Sequence, residues 1–508
     1  MENGVKLVPA LILAFTLLLF ILAGLRGWSR TRGETYYVVM GRYIGRIGGG
    51  AAIASNWMSA ASFLGIAAIF YLYGYLALAY VIGWTGGYVL LLILMASQIR
   101  RFGKYTAAEF VGARYNSQAA RILSAVITIL ITLIYCVAQY KGIGLIFSWI
   151  FGLDYTRSLL LGTAVVISYM VLSGMLGVRR NQQLQYLVLI LCFLVPLMAI
   201  ARELGYFWLL PQIGYGAALQ DLNVAAGVNH ASPWAAVSPF HWIALCFTLM
   251  VGTAGLPHVL ARFYTAPNLR DARWSVVWGI FFIGLLYWSA PAYAIFAKLW
   301  EAGAGIVHDP LAARDMADLI AVRAGEWAQI PSWLTGVIAV GAMVAAFSAV
   351  TGLLLTGAGA VSYDIYLRLI NPGASQKQVM VVAKGATLVL ALLVVVIAVN
   401  PPGLIAEITA VAFALAGNTL FPIFLLGLWW DRTNKYGAIS GMLVGVVITF
   451  CALLFGSFLP ILNVLFHPTA SALLGAPIVI LVMIGVSLLT PAPPEAIRRF
   501  LAEEVHGN

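Results

Sequence analysis

The sequence contains few charged residues. Only 9% of its 508 residues are Asp, Glu, Lys or Arg, whereas 62% are hydrophobic. A soluble globular protein needs about 25% charged residues to cover its surface. This composition excludes a soluble protein and predicts a chain whose surface mostly faces lipid. The net charge of +11 does not indicate nucleic-acid binding, because the basic residues are scattered and form no clustered basic face.

Cysteine and histidine are also rare, and common catalytic motifs are missing. The four cysteines are Cys136, Cys192, Cys246 and Cys451. They lie in apolar runs without paired spacing, so we interpret them as small buried hydrophobic residues. The sequence has six histidines and no HExxH, GxSxG or P-loop motif. We therefore expect neither an enzyme nor an organic cofactor.

Long apolar runs, in contrast, are abundant. A membrane span needs about 20 mostly apolar residues, and the sequence predicts about 13 spans within a single domain, 1–508. They are 7–25, 46–74, 76–98, 122–150, 158–177, 184–204, 240–263, 273–299, 332–361, 378–399, 403–429, 436–460 and 470–490. The first run is too long for the core of a signal peptide and lacks a cleavage site, so we expect it to be retained.

The distribution of basic residues predicts an orientation. Most of the 29 lysines and arginines fall on alternate loops, which lie on one side of the predicted membrane. The positive-inside rule makes that side cytoplasmic, with the N-terminus outside and the C-terminus inside. The predicted location is the bacterial inner membrane, where lipid is the surrounding partner. A transporter-like sensor is a weaker interpretation, because such sensors usually carry a signalling domain after the last span.

The second predicted span contains a group of polar residues. Residues 53–70 read IASNWMSAASFLGIAAIF, with Ser55, Asn56, Ser59 and Ser62 between apolar flanks. In lipid, irregular backbone survives only where it lines a cavity or is buried in protein. The stretch therefore indicates a broken helix. The alternative is that its small residues simply allow tight helix packing.

The seventh predicted span is interrupted in a similar way. Residues 250–262 read MVGTAGLPHVLAR, and Pro257 lacks an N–H and frees a carbonyl one turn back. Paired broken spans at matching positions are typical of secondary transporters built from inverted repeats. We expect repeats at 46–204 and 240–429, with one helix before them (7–25) and two after (436–490). Two offset broken helices also fit alternating access better than a channel pore.

Six stretches resemble a known family. They are NWMSAASFLG (56–65), RRFGKYTAAEFV (100–111), IYCVAQ (134–139), SGMLGVRRNQQLQ (173–185), GTAGLPHVLARFYT (252–265) and GAVSYDIY (359–366). Over about residues 35–430 the chain resembles the sodium:solute symporters, and among them the bacterial acetate and monocarboxylate permeases. The resemblance implies an all-α membrane protein with a LeuT-type 5+5 inverted repeat and cation-driven uptake of a small organic solute.

The resemblance also implies a sodium site. Backbone carbonyls would come from Ser55 and Met58 beside the break, and further ligands from Ala345 and Ser348 on the ninth span. Thr351, one turn further on, offers another hydroxyl. A hard cation prefers oxygen ligands, which agrees with this set. The alternative for Ser348 and Thr351 is a hydrogen bond to a carbonyl of their own helix.

Three positions depart from the family pattern. Ala349 stands where many members have a second hydroxyl, and Gln182 where many have an aspartate. Lys141 replaces a residue that is more often small or apolar. A charge inside a span is costly and usually functional, so Lys141 is a candidate to attract a substrate carboxylate or to replace a cation. It could also reach the outer interface.

Proton coupling is therefore an alternative to sodium coupling, with Lys141 or Glu407 as the titrating group. For Glu407, at the outer end of the eleventh span, we favour a solvated end position. Its other possible role is as a partner for Lys141.

The candidate substrate residues surround the two breaks, where half-helix N-termini favour an anion. They are Asn56, Trp57, Ser59, Ser62, Gln139, Lys141, Thr253, Gly255 and Asn418. Hydrogen bonding between helices is the alternative role for each. The sequence thus predicts sodium-coupled symport of a small monocarboxylate such as acetate. An amino acid or a sugar is the alternative solute, and no obligate protein partner is evident.

Overall fold

The computed structural model describes residues 4–28, 46–102, 106–226, 229–234, 237–260, 269–306, 308–456 and 467–506. Within these ranges the regular secondary structure is entirely helical, which confirms the predicted all-α class. The apolar runs explain this result, because a helix satisfies its backbone hydrogen bonds within its own segment.

The helices follow one another along the chain with short connections. The first part of the chain forms α1 (Leu7–Trp28), α2 (Arg46–Trp57), α3 (Ile66–Tyr73), α4 (Leu78–Leu94), α5 (Ala96–Phe102), α6 (Ala107–Arg114), α7 (Gln118–Phe151), α8 (Tyr155–Glu203) and α9 (Pro211–Ala226). The middle forms α10 (Pro239–Gly255), α11 (Pro257–Leu260), α12 (Leu269–Gly303), α13 (Pro310–Ala317), α14 (Ile320–Trp327) and α15 (Ser332–Gly359). The last part forms α16 (Gln376–Ala398), α17 (Ile405–Asn418), α18 (Leu420–Trp429), α19 (Lys435–Phe455), α20 (Ala472–Leu489) and α21 (Glu495–Phe500).

Many of these helices are suited to a membrane. In the described part of the chain, nine helical segments are long and apolar enough to cross a bilayer. Two shorter apolar helices, Leu7–Leu22 and Pro239–Gly255, accompany them. The protein is therefore a multi-pass integral membrane protein. The number of about 13 spans stays a prediction.

The second predicted span is broken, as its sequence indicates. Helix α2 ends at Trp57, and helical structure resumes at Ala60. The next turn is a π-helix at Ala61–Gly65, which leads into α3. The amides of Ser62 and Phe63 donate to the Ser59 carbonyl at 3.0 and 2.9 Å and so begin the second half of the span.

The seventh predicted span is broken too. Helix α10 ends at Gly255, and Leu256 has extended dihedral angles (φ −71°, ψ 122°). Helix α11 then begins at Pro257. Proline suits this first helical position, because its missing N–H would have no partner there.

Helix α8 differs from the sequence-based expectation of two separate spans. It is helical from Tyr155 to Glu203, over 49 residues. The Gln185 side-chain amide nevertheless donates to the Tyr169 hydroxyl at 3.3 Å. In a straight helix these residues would be about 24 Å apart. The helix must therefore bend sharply between them, and its two arms correspond to the predicted spans 158–177 and 184–204.

The broken helices lie among the most buried parts of the bundle. Helix α15 is buried along nearly its whole length and packs against α2, α7 and α8. Helix α10 packs between α4 and α17. Gly83 and Gly87 permit the α4 contact, because a Cβ at either position would overlap with α10. Both breaks are therefore enclosed by protein, as irregular backbone in a membrane requires.

Candidate cation and substrate site

The break after α2 faces α15 through two serines. The Ser348 hydroxyl donates to the Ser55 carbonyl at 2.8 Å and lies 3.0 Å from the Ser55 hydroxyl. Both residues are fully buried. Three neutral oxygen atoms therefore meet where the helix is interrupted, and such oxygens are the ligands that a hard cation prefers.

The other residues of the predicted cation site lie on the same two elements. Met58 is the first residue after α2, and Ala345 lies one turn before Ser348 on α15; both are buried. Thr351 behaves differently, because its hydroxyl donates to the carbonyls of its own helix at Phe347 (2.9 Å) and Ser348 (3.0 Å). Thr351 thus forms the hydrogen bonds to its own helix that were the alternative to binding a cation.

Gln139 holds the first residue of the half-helix that follows the break. Its Oε1 accepts the Ala60 N–H at 2.8 Å. Its Nε2 is buried and has no hydrogen-bond partner within the described part of the chain. One turn earlier on α7, the Tyr135 hydroxyl donates to the Ser59 hydroxyl at 3.4 Å. The Gln139 side chain thus fixes the broken backbone and keeps a donor available.

Asn56 lies on the α15 side of the break. Its Oδ1 is buried and has no partner among the described residues. It contacts α15 at Gly352, where a Cβ would overlap with Oδ1. A glycine is therefore required for the asparagine side chain to fit between the two helices.

Tyr287 of α12 connects the two sides of the break. The Trp57 indole donates to the Tyr287 hydroxyl at 2.9 Å, and the Ser62 hydroxyl lies 3.0 Å from the same oxygen. Trp57 precedes the break and Ser62 follows it. These polar groups therefore satisfy one another in this conformation.

An aromatic cluster surrounds Trp57, and sequence reasoning missed most of it. Its other members are Trp84, Tyr88, Tyr135, Tyr287 and Phe413. The Trp57 ring lies 4.8 Å from Tyr88 and 5.5 Å from Phe413, between ring centroids. Aromatic residues make up 12% of the chain, so these five did not stand out. The only local signal is Trp84 in GWTGGY (83–88), where three glycines allow close packing of α4.

Thr253 and Gly255 form packing contacts. The Thr253 hydroxyl donates to the Leu249 carbonyl at 2.7 Å, and its Cβ faces Gly87. A Cβ on Gly255 would lie 2.6 Å from the Ala416 carbonyl oxygen. In this conformation both residues allow α10 to approach its neighbours closely. They therefore serve contacts between helices, which was the alternative to substrate binding.

Lys141 points away from this cluster. Its Nζ lies 2.5 Å from Oδ2 of Asp318 and 2.9 Å from the Gly403 carbonyl. Asp318 lies between α13 and α14 and also accepts the Ile405 N–H at 3.3 Å. Only 2% of the Asp318 side chain is exposed. The ammonium is therefore paired within the protein.

Glu407 does not pair with Lys141, which was the alternative role considered for it. Its carboxylate binds Arg314 at 2.6 Å and accepts the Leu404 N–H at 3.0 Å. The second bond caps the start of α17, where a negative charge is favourable. Arg314 also donates to the Tyr73 hydroxyl at 2.9 Å.

Asn418 lies outside the cluster, contrary to expectation. Its amide donates to the hydroxyls of Thr449 (2.9 Å) and Ser471 (3.1 Å). It therefore joins α17 to the C-terminal helices. The Gln182 side chain lies outside the described part of the structure.

Two broken helices inside an all-helical membrane bundle are typical of secondary transporters. Solved structures share this fold. A Na⁺-coupled sialic acid symporter matches with a TM-score of 0.78, covering 97% of this chain and 100% of that chain at 16% identity. A manganese transporter of Eremococcus coleocola matches with a TM-score of 0.51, covering 90% and 95% at 16% identity. The fold is thus the LeuT fold.

Sequence comparison identifies the family. The model of the sodium:solute symporter family matches residues 36–445. An uncharacterized symporter of Cupriavidus necator is 30% identical over 93% of this chain and 90% of its own length. The uncharacterized symporter YwcA of Bacillus subtilis is 31% identical over 82% and 80%. The chain belongs to the sodium:solute symporter family. It is therefore not an enzyme but a membrane transporter that couples sodium to the symport of a solute.

Proposed function

We propose that this protein takes up a small monocarboxylate such as acetate together with sodium across the bacterial inner membrane. Its N-terminus would be outside and its C-terminus in the cytoplasm. The observation that carries the proposal is the enclosed break after α2. Ser55 and Ser348 present oxygens on one side of it, and Gln139 presents on the other an N–H donor that has no partner among the described residues.

The oxygen set suits a monovalent cation. We assign the sodium site to Ser55, Met58, Ala345 and Ser348. The contacts at Ser55 and Ser348 involve hydroxyls and a carbonyl, whereas divalent cations are usually bound through carboxylates. In the described residues, no group of three or more His, Cys, Asp or Glu is placed to hold a metal. Binding of sodium would replace the hydrogen bonds between the two serines.

The donors near the break suit a carboxylate. Gln139 offers Nε2, and the half-helix beginning at Ala60 adds the positive end of its dipole. The Lys141 ammonium is paired with Asp318 in this conformation, so the donors proposed for the carboxylate are neutral. The bound sodium would then balance the charge of the anion. The surrounding aromatic rings and small residues favour a short solute.

Proton coupling through Lys141 or Glu407 is less well supported. Each of these groups forms an ion pair with another residue, Asp318 or Arg314. A group that carries protons during transport would have to leave that pair in every cycle. The two ion pairs are better explained as contacts that hold α13 and α14 against α17 than as proton carriers.

The test is uptake of radiolabelled acetate into proteoliposomes under an imposed sodium gradient, with and without a proton ionophore. We expect sodium-driven uptake that persists with the ionophore. Uptake that ignores sodium and collapses with the ionophore would overturn the coupling. No acetate uptake under either gradient, with sodium-driven uptake of an amino acid or a sugar instead, would overturn the solute.

Gln139→Glu makes the test specific. It keeps an acceptor for the Ala60 N–H but replaces the N–H donor with a negative oxygen, so we expect acetate uptake to be lost. Gln378→Glu is the matched control, because Gln378 is the exposed capping residue of α16, where glutamate is equally favoured.

A further inference from the structure

The indole N–H of Trp84 is buried, and no described residue accepts a hydrogen bond from it. Trp84 is 1% exposed, and its Nε1 has no hydrogen-bond partner within the described part of the chain. Trp57, in the same cluster, donates to Tyr287. Buried tryptophan N–H groups usually find a partner, and leaving one unpaired is costly. The packing of the cluster alone does not explain this N–H, because a phenylalanine would offer an aromatic ring without the unpaired donor.

The Trp84 ring is held next to the helix break. It stacks on Tyr287 at 5.9 Å and lies 5.7 Å from Phe413 and 6.4 Å from Trp57, between ring centroids. These partners come from α12, α17 and α2. Four helices therefore meet at the Trp84 ring, and in a transporter such helices move relative to one another during the cycle. A hydrogen-bond acceptor can reach the Trp84 N–H when these ring contacts separate.

A second donor without a partner among the described residues lies on the neighbouring side of the cluster. The Phe413 ring contacts Tyr135 at 5.7 Å as well as Trp84. Gln139, one turn along α7 from Tyr135, carries the unpaired Nε2. Both unpaired groups are neutral N–H donors, so the ligand they fit is one that offers acceptor oxygens.

We infer that Trp84 is a substrate-binding residue whose N–H donates a hydrogen bond to a carboxylate oxygen of the solute. The identity of the solute rests on the proposed function. The assignment of the N–H to a ligand rests on its burial and its lack of a partner. Trp84 thereby selects solutes with an acceptor at this position, because any other bound solute would leave the donor unpaired.

The test compares Trp84→Phe with Trp57→Phe in the full-length purified protein. Trp84→Phe removes the unpaired donor and keeps an aromatic ring. In sodium without solute, we expect its Tm to equal or exceed that of the natural protein. Trp57→Phe breaks the bond to Tyr287, so we expect a lower Tm.

The same variants are then assayed with acetate. For Trp84→Phe we expect the KM of acetate uptake to rise at least tenfold, and the increase in Tm on adding acetate to disappear. An unchanged KM would overturn the inference, because the N–H would then serve only packing or a trapped water molecule. A Tm without solute as low as that of Trp57→Phe would also contradict it.

A failure of the proposed function would look different. If the natural protein neither takes up acetate nor is stabilised by it, acetate is the wrong solute. The Tm values of Trp84→Phe and Trp57→Phe without solute still decide whether the Trp84 N–H stabilises the fold.

Discussion

The Nζ of Lys141 on α7 lies 2.5 Å from the carboxylate of Asp318, which is 177 residues away in the chain. Asp318 also receives the N–H of Ile405 at the start of α17. The pair therefore joins α7, α17 and the connection between α13 and α14. It neutralises a charge inside a membrane span, which would otherwise be costly.

The ion pair predicts a large stability loss when one partner is removed. Asp318→Asn leaves the Lys141 ammonium without its counter-charge, and breaking a buried pair in this way costs about 3 kcal/mol. We expect a lower Tm in detergent.

The double variant Lys141→Met, Asp318→Leu removes both charges and should recover most of that stability while keeping sodium-driven uptake. A folded double variant that has lost sodium coupling would show instead that the pair takes part in transport.

The proposed cation site predicts different roles for two hydroxyls of α15. The Ser348 hydroxyl contacts Ser55 across the break, so Ser348→Ala removes a proposed ligand, and we expect the sodium concentration for half-maximal uptake to rise about tenfold or more. The Thr351 hydroxyl is bonded to its own helix, so Thr351→Val should change that concentration less than threefold. Equal effects in sodium-dependence curves would contradict the assignment.

The contact between Asn56 and Gly352 predicts a steric effect. A Cβ at Gly352 would overlap with Oδ1 of Asn56, and overpacking of this kind costs about 1–3 kcal/mol. We expect Gly352→Ala to lower Tm and to impair uptake. Gly359, two turns further on, has open space around its Cβ position. Gly359→Ala is the matched control and should leave Tm unchanged or slightly raised, because alanine favours helix.

Arg114 links α6 to the end of α18, in another part of the molecule. It is fully buried, and its guanidinium donates to the carbonyls of Gly427 (2.5 Å), Trp430 (3.0 Å) and Thr433 (3.2 Å). These carbonyls lie at and beyond the end of α18, where a positive charge is favourable.

Lysine lacks the planar fork that serves all three carbonyls. Arg114→Lys should therefore lower Tm by several degrees, whereas Arg157→Lys, at an exposed position, should not. A Tm for Arg114→Lys equal to that of the natural protein would show that the three bonds contribute little.

The sequence predicted the helix breaks because their cause is local. Glycine, serine and Pro257 weaken a helix wherever they occur, and a membrane span makes such residues conspicuous. The pairing of the second and seventh spans then indicated inverted repeats. The contact between Ser55 and Ser348 was expected from the family resemblance alone, since nothing in either segment specifies the other.

The remaining features depend on contacts between distant segments. Asp318 sits in a connection between two predicted spans, and nothing in that segment specifies Lys141, so the partner of Lys141 could not be recognised. Asn418 was placed near the substrate because of its span, but which face of α17 it occupies depends on the two C-terminal helices. In the sequence Trp84 resembles other aromatic residues in apolar runs, and only the fold shows that its N–H has no acceptor among the described residues.

The central claim is that sodium and the solute bind across the same helix break and stabilise each other. The most direct measurement is the affinity of the purified protein for acetate in sodium and in potassium at equal ionic strength, by isothermal titration calorimetry. We predict at least tenfold tighter binding in sodium, with acetate raising the sodium affinity by the same factor, as linkage requires. Ser348→Ala should reduce this difference at the same sodium concentration. Equal acetate affinity in both salts, or a difference of the same size in Ser348→Ala, would contradict the account.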